Sequence, residues 1–143
     1  MSALIRSIIE DKFSAYLAAN ITDTNVVKGI TDSLRSMPTI VVYASEAASP
    51  RELGASNIGN YHIKLEIFVY SSADDETLQA HRERVSKVHG LMADLAACKA
   101  LWLLNEGKMY QMWIESDEEG MHSRNYGNKV VYTVVAVLPP SPV

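Results

Sequence analysis

The sequence holds one cysteine, Cys98, in 143 residues. That excludes an intrachain disulfide and a cysteine-rich zinc site. The context of Cys98, LAACKALWLL, is apolar and suits a small buried residue. No apolar run approaches the roughly 20 residues that cross a bilayer. The amino terminus, MSALIRSIIEDKF, is interrupted by Glu10, Asp11 and Lys12 where a signal peptide stays apolar, so cytosolic synthesis is expected. Cations are in deficit, with 13 Lys and Arg against 17 Asp and Glu and a net charge of −4. Broad affinity for nucleic acid is therefore not expected. The densest basic cluster, Arg82, Arg84 and Lys87, is diluted by Glu83 and the acids at 74–76, and reads as a solvated helix face. The chain has no glycine-rich phosphate loop, no nucleophile elbow and no paired-histidine zinc helix. His81 and His89 lie two turns apart on one helix, too far for a shared metal without a third element. His81 falls on the apolar stripe and reads as a packing residue.

What is present fits one domain with a real core: 48% hydrophobic and 21% charged residues over the whole length. Ser2 can cap a helix running to about Asn20, with Ile5, Ile8, Ile9, Phe13, Tyr16 and Leu17 forming one stripe. Residues 21–37 lack a pattern and read as loop, with one helical turn around 32–36. Pro38 opens PTIVVYAS, a short strand. Residues 46–60, EAASPRELGASNIGN, read as a long loop with no apolar periodicity, of the kind that often carries function. YHIKLEIFVY, residues 61–70, alternates as a half-buried strand: Tyr61, Ile63, Leu65, Ile67 and Val69 form the core face, and His62, Lys64, Glu66, Phe68 and Tyr70 form the other. Ser72 or Asp74 can then cap a helix to about Ala97, whose stripe is Leu78, Val85, Val88, Met92 and Leu95. A turn at 105–108 leads to a strand at 109–116, with Met109, Gln111, Trp113 and Glu115 opposing Tyr110, Met112, Ile114 and Ser116. DEEGMHSRNYGN reads as a second polar loop, KVVYTVVAVL as the most β-prone strand, and PPSPV as an extended tail. The expected fold class is α+β: a small, mostly antiparallel twisted sheet of about four strands, with two main helices packed on one face, in a single domain spanning 1–143.

Chemistry is sparse. Asp117, Glu118 and Glu119, placed at a hairpin tip, could offer oxygens to a divalent cation, or simply keep the loop solvated. With His122 they would be the ligands of a small metal-dependent hydrolase. Ser123 beside His122 supplies a nucleophile neither with an oriented base nor with an oxyanion site. No enzyme, cofactor or metal is expected. The remaining signal is surface: Phe68 and Tyr70, and by the same alternation Tyr110 and Met112, form either a contact surface or a second core layer.

Taken in order, the amino-terminal helix, PTIVVYAS, the Gly/Asn loop, YHIKLEIFVYSS, DDETLQAHRERVSKVHGLMADL and a closing hairpin resemble a tailed-phage tail terminator, also called the tail-completion or minor tail protein of the neck. The most telling piece is a strand ending in Ser-Ser, followed by an acidic cap and a helix with a central His-Arg. The resemblance implies a structural virion protein that forms a ring, commonly of six subunits, on the last ring of the tail tube. There it stops polymerisation and forms the joint to the head connector. The implied partners are further copies of itself, the tail tube protein and the connector, with no membrane and with DNA only as cargo through the lumen. The implied location is the virion neck, after assembly in the host cytoplasm. Another neck or connector component is the neighbouring reading. No contact residue of that family maps onto this chain, so the candidate contacts follow from surface character. They are Arg51, Glu52 and Leu53 in the long loop, with Lys64, Glu66, Phe68 and Tyr70 on the strand. Asp117, Glu118, Glu119, Met121, Arg124 and Tyr126 in the second polar loop complete the set.

Overall fold

The computed structural model describes residues 2–29, 37–48, 60–102 and 107–137. Their order is α1 (Ser2–Asn20), β1 (Asn25–Lys28), β2 (Thr39–Ala48), β3 (Asn60–Ser72), α2 (Leu78–Ala93), α3 (Leu95–Lys99), β4 (Lys108–His122) and β5 (Asn125–Val137). The strands form one five-stranded sheet in the order β1-β2-β3-β5-β4. β1 runs parallel to β2, and every other pairing is antiparallel. The sheet is thus mixed and one strand larger than the sequence suggested.

The alternation in β3 sets which face is core. Ile63, Leu65, Ile67 and Val69 are fully buried, opposite Val134, Tyr132, Val130 and Asn128 of β5. Ile40, Val42 and Ala44 of β2 continue this layer. Onto it α1 lays Ile5, Ile9, Phe13 and Leu17, and α2 lays Val85, Val88 and Met92. These recur at three- and four-residue steps, as a helix needs in order to present one stripe. Tyr16 ties the two helices together, its hydroxyl donating to the Leu91 carbonyl at 2.7 Å. Among the described residues all three helices lie on this face, and none covers the other.

Several expectations are corrected. Residues 25–28, read as loop, are β1. Two valines suffice there because β2 supplies the ladder on one side. The cap of α2 is Thr77, which accepts from the Ala80 amide at 3.1 Å, while Ser72 closes β3 and its carbonyl receives the Asp75 and Glu76 amides. The long helix ends at Ala93, because Asp94 terminates α2 and also caps α3 through the Ala97 amide. Leu95 thereby leaves the stripe and is 37% exposed, and Leu78 is only half-buried. Finally, DEEGMHSRNYGN is not a loop: β4 runs through it to His122, and β5 starts at Asn125. Only Ser123 and Arg124 turn the hairpin, with Ser123 in the left-handed region at φ 56°. Of residues 46–60, expected as one long loop, 46–48 belong to β2 and Asn60 opens β3, while 49–59, with Arg51, Glu52 and Leu53, lie outside the described residues, as do 30–36 and the PPSPV tail.

Candidate functional site

Two features of the sheet are available for recognition: its helix-free face and the free edge of β4. On the face, cross-strand register places Lys64 opposite Glu46, and Phe68 opposite Val41 and Lys129. Phe68 and Tyr70 stack with ring centroids 6.2 Å apart and planes 2° from parallel. Gly127 lies opposite Tyr70, and a Cβ at that position would come within 3.3 Å of the ring, so the bare glycine gives Tyr70 its bed. Two adjoining grooves cross this face. One, of about 660 Å³, is lined by Glu46, His62, Lys64, Trp113, Glu118 and Lys129 among others. The second, of about 400 Å³, is lined by Phe68, Tyr70, Glu118, Glu119, Met121 and Lys129 among others. Glu118 and Lys129 belong to both, so the surface is continuous.

Glu66, a candidate contact residue, is 7% exposed and already paired: the Lys129 ammonium lies 3.0 Å from its Oε1. Burial raises its carboxyl. Hydrogen bonds from Ser45 and Lys129, with the Lys129 and Lys64 charges, outweigh that and hold it below the ordinary glutamate value. A carboxyl lowered in the folded state stabilises fully above its unfolded value, and this contribution is lost as pH falls through the lower folded value. Replacing Lys129 with Gln should therefore move acid unfolding, followed by melting at stepped pH, toward higher pH. An unchanged acid limb would show that the pair carries none of that stability.

The polar residues at 117–119 diverge because they lie on a strand, not at a tip. Asp117 and Glu119 turn to the helix side, and Glu118 turns to the open face. Asp117 accepts from Asn128 Nδ2 at 2.7 Å and from His89 Nε2 at 3.0 Å. Glu119 is held bidentately by Arg82 at 2.9 and 2.8 Å. Those Arg82 hydrogen bonds lower the Glu119 carboxyl. Among the described residues no group of three or more His, Cys, Asp or Glu could hold a metal ion. Met121 is 61% exposed, and Arg124 faces Asp74 across 3.7 Å near the turn. Tyr126 points inward, its ring 5.6 Å from that of His81. Of the candidates, Lys64, Phe68, Tyr70 and Glu118 therefore share the open face, while Met121, paired with Tyr126, takes the other side with Glu119. Asp117 and Tyr126 do not share the open face.

A buried polar chain was not legible in advance beyond His81. Arg84 NH1 donates to Ser71 Oγ at 2.6 Å, and Ser71 Oγ lies 2.8 Å from His81 Nδ1. His81 Nε2 lies 2.7 Å from Asn128 Oδ1, and Asn128 passes the line on to Asp117. With the single imidazole proton on Nε2, every link has one donor and one acceptor, running from the Arg84 cation to the Asp117 carboxylate. Ser71 and His81 are fully buried and Asn128 nearly so, so the serine–histidine pair faces protein on all sides and fixes α2 to β3, β5 and β4. Glu76 closes the Arg84 end at 3.0 Å. Cys98 is likewise sealed: burial and the Asp94 charge push its thiol up to about 11.

The edge of β4 was also missed. Its register to β5 skips Tyr110 and Glu115, and the first skip puts both Met109 and Met112 in the core, against the simple alternation. Tyr110, Trp113 and Ile114 are left 50%, 41% and 46% exposed along the free edge.

No protein-family profile matches the sequence, and no curated protein does. Among solved structures, the chain is similar to one from the virion of a native gene transfer agent particle. The two are 13% identical with a TM-score of 0.54, over 95% of each chain. At that identity the likeness is one of fold.

Proposed function

We propose that this chain is a structural virion protein that assembles as a ring of six copies, which caps the tail tube of a phage-like particle and joins it to the head connector. The observation that carries this reading is the fold likeness to a virion protein across 95% of both chains. Two further features support it. The buried line from Arg84 through Ser71, His81 and Asn128 to Asp117 ties elements together, as in a scaffold. The sheet also ends in two different edges, β1 and β4, which supply the unlike lateral surfaces a closed head-to-tail ring requires. The open face, with Lys64, Phe68, Tyr70 and Glu118, is then a contact for the tube or connector, and Met121 remains a proposed contact at the hairpin end. Arg51, Glu52 and Leu53 remain proposed partner contacts. Native mass spectrometry of the purified protein, alone and with tube protein, is expected to show a closed ring, and the ring is expected to halt tube growth. A monomeric mass in both conditions overturns the reading.

A further inference from the structure

The free edge of β4 is interrupted in a regular way. β4 is 15 residues long, and its register to β5 slips between Met109 and Gln111 and again between Ile114 and Ser116. Such bulges twist an edge away from further pairing. Between them, residues 111–114 keep unbroken register. That window is flanked on the helix side by a groove of about 320 Å³, lined by Met92, Leu95, Met112, Trp113, Ile114 and Tyr132 among others. Tyr132 is 4% exposed and lines the groove floor. A regular stretch of edge between two bulges, beside an apolar groove, is the part of β4 that can take a further strand.

The chain carries a strand that fits. β1 is four residues long, the length of the 111–114 window, and it ends the sheet on the opposite side. Their directions also agree. β1 is parallel to β2, and three successive antiparallel pairings separate β2 from β4. A copy placed beside β4 by rotation about an axis along the strands therefore presents its β1 antiparallel. Side-chain alternation agrees as well. Val27 lies opposite Val41, on the helix-free face, and Trp113 lies opposite Thr133, on that same face. Both are exposed, at 39% and 41%.

We propose that residues 111–114 on the free edge of β4 receive β1 of a second copy of this chain, continuing the sheet from one copy to the next with Val27 beside Trp113. The inference rests on the ring reading for its requirement that the two contacting surfaces differ. A two-fold contact would instead pair β4 with β4.

The test uses the full chain. Trp113→Lys and Val27→Lys change exposed side chains, and circular dichroism with melting temperature checks that each variant folds. Each is expected to run as a monomer at concentrations where the wild type is a ring. In a second arm, Val27→Cys and Trp113→Cys proteins are mixed and treated with a short bismaleimide, the native Cys98 being buried. A linked pair is expected from the mixture and from neither variant alone. Rings that persist in both lysine variants, or linkage within the Trp113→Cys protein alone, overturn the proposal while leaving the ring intact. A monomeric wild type overturns the ring reading and this inference together.

Discussion

Replacing Val88 with Asp is expected to unfold most of the protein at ambient temperature. Val88 is fully buried on α2, in the layer shared with α1 and the sheet. A carboxylate there meets no cation, and burying an unpaired charge costs on the order of several kcal/mol. The whole domain is held by only about 5–15 kcal/mol, so the loss is comparable to the total. Lys87→Asp, one position away on the exposed flank, is the control and should leave the melting temperature nearly unchanged. A soluble Val88→Asp protein that melts like the wild type would mean that α2 presents a different face to the sheet.

His81→Phe has the second largest expected effect. The ring volume is nearly kept, so the cost is polar: Ser71 loses the acceptor of its hydroxyl, and Asn128 Oδ1 loses its donor. Each buried group left unsatisfied costs about 1–3 kcal/mol, giving about 2–6 kcal/mol in all. Adding Ser71→Ala to His81→Phe should cost less than the sum of the two single changes, because the alanine removes one of the orphaned groups. Denaturant titration of the three variants measures this. A His81→Phe loss under about 0.5 kcal/mol, the range of ordinary surface changes, would show that the line from Arg84 to Asp117 adds nothing to stability.

The parts of the fold that could be read in advance are those where burial is one-sided and regular. The stripe of α1 and the odd positions of β3 are such places, since each side chain there meets either core or surface. The rest failed for physical reasons. β1 has two valines and a parallel neighbour that only the folded chain provides, so no local pattern announces it. The distal half of the β4–β5 hairpin carries Asp117, Glu118 and Glu119 in strand conformation, because thirteen cross-strand pairings with β5 outweigh their poor β propensity. The bulge at Tyr110 moves Met112 from the predicted surface into the core. His81 was recognisable as buried from its place on the stripe. Its partners Ser71 and Asn128 were not, since they come from strands distant in sequence. Of the surface candidates, Phe68 and Tyr70 were placed on the face opposite the core, as the alternation of β3 requires.

The position of β5 has a consequence for how the chain matures. Among the described residues it is the last strand in sequence, yet it lies inside the sheet between β3 and β4. During synthesis β3 emerges long before its partner and must wait with an unpaired edge from Asn60 to Ser72, the row that will meet Val137 to Asn125. Contacts across such sequence separations form slowly, and unpaired edges invite mispairing while they wait. The β4–β5 hairpin, closed by a two-residue turn, is the local piece that can form first and dock as a unit. A nascent chain therefore cannot complete this sheet before β5 has left the ribosome.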